Sequence, residues 1–157
     1  MKIKIHITAV IVLFLTLLIF LIPIPDFIVN YKPQLILLVL IYWTLNFPDE
    51  INISYAFIIG ALSDIILITP LGQHILTYIS AIYFAKIFNK PLNNNYDRNI
   101  SIILILTPYF ISSILVIHFL KISYFNVIEI LISIMTSILI WPFVHKLLEF
   151  VHRKYIK

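Results

Sequence analysis

The stretch that decides the fold is "GALSDIILITPLGQH", residues 60–74. It holds both glycines of the chain, Gly60 and Gly72, and one carboxylate, Asp64, between apolar residues. Gly60 and Asp64 are four positions apart, so in a helix they share one face. Gly72 follows Thr-Pro-Leu, a sequence typical of a tight turn. The segment therefore predicts a helix, a turn and the start of a second helix.

The composition around this stretch is that of a membrane protein. The chain has 157 residues, of which 62% are hydrophobic and 11% are charged, whereas soluble domains have about 25% charged residues. A soluble fold of this length could not bury so much apolar surface. We therefore predict one integral membrane domain over residues 1–157. The chain has no cysteine, which excludes disulfides and thiolate metal sites.

The apolar segments predict an all-α, polytopic membrane protein with six transmembrane helices. A hydrocarbon core of about 30 Å requires about 20 helical residues, so the second, third and fourth segments are short or marginal. No small-residue cleavage site follows the first segment, and we expect it to remain as an anchor rather than to be removed as a signal peptide. The predicted spans are 5–22, 33–47, 51–68, 72–88, 99–120 and 124–148.

The basic residues predict that both termini are cytoplasmic. With six spans and an internal N-terminus, nine Lys and Arg residues fall on the cytoplasmic side and two, Lys32 and Lys121, on the outer side. This asymmetry follows the positive-inside rule. The cytoplasmic set is Lys2, Lys4, Lys86, Lys90, Arg98, Lys146, Arg153, Lys154 and Lys157.

The last residues, "HKLLEFVHRKYIK", continue the sixth helix and separate apolar from basic positions. This pattern fits a helix end that lies against anionic lipid of the inner leaflet, or simple positive-inside anchoring. The apolar face would hold Leu147, Leu148, Val151 and Tyr155, and the basic face Lys146, Arg153 and Lys157.

Asp64 and Gly60 are the main candidates for a functional contact. An ionisable residue in a transmembrane helix is a functional-site hypothesis by default, and a small residue such as Gly60 lets another backbone approach closely. The alternative is that Asp64 reaches the outer surface or accepts a local hydrogen bond. Tyr42 and Trp43 fit either an aromatic belt at the membrane interface or a contact with a partner.

Other chemistries find little support in the sequence. The five histidines form no close ligand pair, so we predict no metal site and no cofactor. No serine lies between glycines as an intramembrane serine protease would require, and an aspartyl protease would need Asp64 to pair with Glu129. No soluble basic face is available for nucleic acid. We therefore expect no enzymatic activity.

Two stretches resemble the signature of the rod shape-determining MreD family. They are "KPQLILLVLIYWTLNFPD", residues 32–49, and "GALSDIILITPLGQHIL", residues 60–76. The shared pattern is a basic residue and Pro before an apolar run that ends in Tyr-Trp, then a Pro, a Gly-x-x-x-Asp helix and a Leu-Gly turn. Ile68 departs from it, because many members have a small residue there.

The resemblance implies a non-enzymatic component of the bacterial cell-wall elongation machinery in the inner membrane. It implies binding to the shape protein MreC, and joint action with the filament protein MreB and with the glycosyltransferase and transpeptidase that build peptidoglycan. It also implies a fold similar to the substrate-binding subunits of energy-coupling-factor vitamin transporters. The alternative function is a vitamin-binding transporter subunit, which the six-span layout and a polar group near an outward pocket would allow. The few polar groups expected for such a pocket are Asp64, Gln73, His74 and Glu129. The candidate contact residues are Gly60, Asp64, Pro70, Gly72, Tyr42 and Trp43.

Overall fold

The computed structural model describes residues 2–23, 32–88 and 127–156. All the regular secondary structure in these residues is helical, which confirms the predicted all-α class. The predicted span 99–120 lies outside the described residues. The five described helices are α1 (Lys2–Phe20), α2 (Leu35–Asn46), α3 (Ile53–Ile66), α4 (Gln73–Phe88) and α5 (Val127–Tyr155).

The described helices include long and short ones, as the lengths of the apolar segments predicted. Two helices, Lys2–Phe20 and Ile128–Tyr155, are long and apolar enough to cross a membrane. Helix α2 has 12 residues and is therefore only about 18 Å long. Pro48 and Pro70 lie in the connections that follow α2 and α3, where the missing N–H of proline costs no helical hydrogen bond.

Helix α2 is the centre of the described bundle. Every residue from Ile36 to Leu45 is buried, as expected of a helix that is apolar all round. It packs against α1, α4 and α5, while α3 packs mainly against α4. A short helix can occupy this position because protein surrounds it on several sides.

One end of the bundle, the basic end, collects most of the described cations. Lys2 forms an ion pair with Glu50 at 3.0 Å, and Lys86 donates a hydrogen bond to Asn52 at 3.4 Å. Arg153 and Lys154 lie in the last turn of α5, next to His152, whose ring centroid is 4.9 Å from that of Phe47 at the end of α2. The α1 start, the α2–α3 connection and the ends of α4 and α5 therefore lie together.

The opposite end, the turn end, holds the α3–α4 connection and the residues that precede α2. The Lys32 ammonium donates to the carbonyl of Phe20 at 3.3 Å, and the Ser133 hydroxyl donates to the carbonyl of Lys32 at 2.7 Å. The end of α1 and the first half of α5 are thereby joined to the start of α2. Since α4 ends at the basic end, Phe88 and Val127 lie at opposite ends of the bundle.

Helices α1 and α5 present large apolar side chains on their outer surfaces. In water such a surface would favour association or aggregation, whereas hydrocarbon suits it. One expectation for α5 needs correction, because Leu148 is buried in the core and does not share an outer face with Leu147. The exposed positions include Ile7, Ile11, Phe14 and Leu18 of α1 and Leu131, Met135, Leu139 and Phe143 of α5.

Candidate functional site

Helix α3 ends in a left-handed residue that reverses the chain. Ile68 has a φ of 54°, and the N–H of Thr69 donates to the carbonyl of Asp64 at 3.1 Å. This six-residue hydrogen bond is the main bond of the Schellman motif, in which glycine is the usual left-handed residue. The departure at Ile68 therefore has a structural meaning: a β-branched side chain stands where the backbone favours a small residue.

Gly72 makes the second reversal and starts helix α4. Its φ of 102° is readily available to glycine but not to residues with a Cβ atom. Its carbonyl accepts the first hydrogen bond of the helix, from the N–H of Leu76 at 2.9 Å. Pro70 lies between the two reversals, and its carbonyl accepts the N–H of Gln73 at 3.1 Å.

The Asp64 carboxylate lies inside this connection and is 1% exposed. Its Oδ2 accepts the N–H of Gly72 at 2.8 Å. Its Oδ1 accepts the N–H of His74 at 2.9 Å, the Nδ1–H of the same histidine at 2.8 Å and the hydroxyl of Thr69 at 3.0 Å. These four donors match the acceptor capacity of a carboxylate.

Asp64 thus caps the N-terminus of α4 from the neighbouring helix. The first N–H groups of a helix have no partner within it, and the helix dipole favours a negative charge at that position. A buried carboxylate is tolerated only where such donors replace water. Together Asp64, Thr69, Gly72 and His74 form a closed unit, which we name the Asp64 corner.

The Asp64 corner does not have the arrangement of a catalytic triad. In a triad the carboxylate and the nucleophilic hydroxyl contact different nitrogens of the histidine. Here Nδ1 of His74 lies 2.8 Å from Asp64 and 3.2 Å from the hydroxyl of Thr69, and that hydroxyl donates to the carboxylate. This geometry orders a turn and does not activate a nucleophile. Glu129, on the first turn of α5, is not among the described partners of Asp64.

Gly60 lies one turn before Asp64, where α3 crosses the start of α4. A Cβ atom placed on Gly60 would be 2.6 Å from Cα and 2.8 Å from the backbone nitrogen of Ile75. Backbone atoms cannot rotate away as the end of a side chain can, so only glycine fits this crossing. Gly60 and Asp64 therefore both face α4 of the same chain.

Tyr42 and Trp43 lie apart from the Asp64 corner, toward the basic end of α2. Both are buried inside the bundle and not on a surface that faces lipid. The Tyr42 hydroxyl is 3.4 Å from Nδ1 of His152 on α5, and the Trp43 ring stacks on Phe47. Within the described residues the Trp43 indole N–H has no hydrogen-bond acceptor.

Sequence reasoning did not include Thr69 in the site, and it named His74 only as a polar group for the alternative function, although both residues lie in the opening stretch. The available signal was their position around Gly72, since polar residues that flank a helix start often complete its cap. His74 is 7% exposed and meets Asp64 only because two left-handed residues fold the turn back. No group of three or more His, Cys, Asp or Glu side chains with metal-binding geometry occurs in the part of the chain that the structure describes.

The comparison with known families decides the classification. A family model for the rod shape-determining protein MreD matches residues 1–151. The chain belongs to the MreD family. This membership, together with the two long apolar helices, makes it a membrane-associated protein with a role in rod shape determination.

A curated relative agrees with the MreD assignment. The rod shape-determining protein MreD of Haemophilus influenzae is 30% identical over 126 residues, which cover 78% of this chain and 76% of the relative. No solved structure matches the chain. The Asp64 corner, with both reversals and Gly60, falls inside the region that the MreD family model matches.

Proposed function

We propose that this MreD family member is a non-enzymatic scaffold of the cell-wall elongation machinery. It would bind MreC and, with it, the glycosyltransferase and transpeptidase that extend the lateral wall under the direction of MreB. The observation that carries the proposal is the family match over residues 1–151. The internal saturation of the Asp64 carboxylate supports a role in shaping a surface and not in turnover.

We further propose one multi-pass domain in the bacterial inner membrane, with six spans and both termini in the cytoplasm. Alternation of the described helices between the basic end and the turn end supports this topology. Phe88 and Val127 lie at opposite ends, a placement that accords with the predicted span 99–120. The basic end would face the cytoplasm, in accord with the positive-inside rule.

The contact with MreC would depend on the Asp64 corner indirectly. Gly60, Asp64 and Gly72 contact their own chain, so they would act by fixing how α3 and α4 present their outer faces. The outer face of α3 carries exposed apolar side chains that a transmembrane partner helix could cover. They are Phe57, Ile58, Leu62 and Ile65.

The geometry of the Asp64 corner does not support the alternative function, a vitamin-binding transporter subunit. Such a pocket requires convergent polar groups that are open to a ligand. Two of the expected groups, Asp64 and His74, are bonded to each other at 2.8 Å, and Glu129 is on a different helix.

Co-purification from host membranes tests the scaffold proposal. Affinity-tagged wild-type chain should retain MreC, while Asp64→Ala and Gly60→Leu should retain several-fold less at equal membrane levels. Asp49→Ala, which removes an exposed carboxylate from the α2–α3 connection, is the matched control and should retain as much as wild type. Wild-type chain that retains no MreC above background would contradict the proposal. Normal retention of MreC by Asp64→Ala would show that the Asp64 corner plays no part in MreC binding.

A further inference from the structure

Helix α5 is longer than the hydrocarbon core of a bilayer. The helix has 29 residues and is therefore about 43 Å long, against a hydrocarbon core of about 30 Å. Residues 130–145 contain no Asp, Glu, Lys or Arg, and Lys146 is the first charged residue after Glu129. The charge-free part has 16 residues and is about 24 Å long, so in the proposed orientation the segment from Lys146 onward would lie near the headgroups.

The outer face of this segment combines apolar and cationic side chains. Phe143, Leu147 and Phe150 are 76%, 63% and 63% exposed, and their spacing of four and three residues places them on one helix face. Lys154 continues the same face one turn later. Its ammonium lies 5.9 Å from the centroid of the Phe150 ring and 5.6 Å from that of Tyr155. We name these four residues, Phe143, Leu147, Phe150 and Lys154, the α5 stripe.

The opposite face of α5 is occupied by the bundle. Trp141 and Leu148 are 5% and 2% exposed, and His152 contacts the ring of Phe47 with centroids 4.9 Å apart. The helix is therefore held in one rotational position, and the α5 stripe points away from the protein. A rigid helix that presents an apolar row and then a cation loses little entropy when it meets a surface.

The charge of this segment is positive. Residues 146–156 carry three basic side chains and one acidic side chain. Arg153 donates to Glu149 at 2.7 Å, and the two exposed lysines, Lys146 and Lys154, stand outside that ion pair. Apolar side chains at the boundary of the hydrocarbon, beside lysines that reach the headgroups, are the pattern of an anionic lipid contact.

We infer that the α5 stripe, with Lys146 beside it, is a docking surface for anionic phospholipid headgroups of the cytoplasmic leaflet. The inference rests on the proposed orientation, with the basic end in the cytoplasm. The surface would fix the depth and tilt of α5, and through its contacts with α2 the position of the whole bundle. Zwitterionic lipid offers the same hydrocarbon but no net charge to the two lysines.

Native mass spectrometry of the purified full chain tests this inference. The protein in detergent is titrated with phosphatidylglycerol or phosphatidylcholine, and the bound lipids are counted. Wild-type chain should prefer phosphatidylglycerol. The double variant Lys146→Gln/Lys154→Gln should bind it roughly 25-fold more weakly, because each cation near an anionic surface contributes roughly fivefold.

The matched control is Lys4→Gln/Lys86→Gln, which removes the same charge from the same end of the bundle and should keep the lipid preference. Equal phosphatidylglycerol binding by the two double variants would overturn the inference, as would a wild-type chain with no preference between the lipids. Loss of MreC co-purification in Lys146→Gln/Lys154→Gln, with lipid binding unchanged, would assign the surface to a protein partner instead. Failure of the scaffold proposal alone would leave the lipid titration unaffected.

Discussion

The Asp64 carboxylate and His74 are bonded twice, through the backbone N–H at 2.9 Å and the ring Nδ1 at 2.8 Å. The two residues are ten positions apart, and this pair ties the end of α3 to the first turn of α4. It explains why a chain with only two glycines keeps both beside one buried acid. Gly60 allows the helices to cross, Gly72 lets the chain reverse, and Asp64 satisfies the donors that the reversal exposes.

Removal of the carboxylate should destabilise the protein strongly. Asp64→Ala leaves the buried N–H of His74 and the partly buried N–H of Gly72 without acceptors, and we expect a loss of about 2–4 kcal/mol in the free energy of unfolding. Asp64→Asn keeps one acceptor oxygen and should lose less. Denaturant titration in detergent micelles measures both. A loss below about 1 kcal/mol for Asp64→Ala, equal to that of the exposed-site variant Asp49→Ala, would show that the cap contributes little.

Even alanine, the smallest side chain, should destabilise the protein at Gly60. Alanine is about 1 kcal/mol better than glycine in an unconstrained helix, but its Cβ would lie 2.6 Å from Cα of Ile75. We expect Gly60→Ala to lower the free energy of unfolding by about 1–3 kcal/mol, the range for overpacking. Leu62→Ala, on the exposed side of the same helix, should change it by less than about 0.5 kcal/mol. A stabilised Gly60→Ala protein would refute the close crossing.

At Ile68 we expect glycine to stabilise the protein, because the φ of 54° suits glycine. Ile68→Gly should raise the free energy of unfolding by about 1 kcal/mol, since the left-handed conformation costs a residue with a Cβ about that much. The side chain is 92% exposed, so its removal forfeits little packing. Leu71→Gly, at a second exposed apolar position of the same turn, should give no gain. Thermal unfolding that shows equal effects at both positions would contradict the assigned backbone strain.

A fall in pH should weaken the Lys2–Glu50 ion pair at the basic end. The hydrogen bond from the Lys2 ammonium holds the pKa of the Glu50 carboxyl below its usual range. A depressed folded-state pKa contributes stability that is present above the unfolded pKa and is lost as the pH falls through the folded pKa. Wild type should therefore be more stable than Glu50→Gln at pH 7, and this difference should shrink as the pH falls below the unfolded pKa of glutamate, about 4.3, and vanish below the lowered folded-state pKa. A difference in melting temperature that is independent of pH would rule out the ion pair as its source.

Much of the α3–α4 hairpin could be predicted from the sequence. The spacing of Gly60 and Asp64 placed both residues on one helix face, and the Thr-Pro-Leu-Gly turn marked the break between α3 and α4. These features are local, so four to fifteen consecutive residues contain the information. The pairing of Asp64 with His74 was out of reach, because it depends on the left-handed conformation of a residue, Ile68, that rarely adopts it.

The central position of α2 and the buried face of α5 could not be predicted from the sequence. Helices that face lipid and helices buried in protein are both apolar all round, so hydropathy alone cannot separate them. In the sequence, Tyr42 and Trp43 therefore fit either an aromatic belt or a partner contact, and only the structure shows that both are buried in the core. Leu147 and Leu148 look equivalent in the sequence, yet only Leu148 is buried, since packing against α2 sets the rotation of α5.

Depletion of the chain in its host, followed by imaging of cell shape and of labelled wall precursor, tests the central claim most directly. If the protein is a scaffold for elongation of the lateral wall, depleted cells should widen and become round, and lateral incorporation of the precursor should fall. A wild-type copy supplied in trans should restore rods. Depleted cells that stay rod-shaped, with undiminished lateral incorporation, would contradict the account.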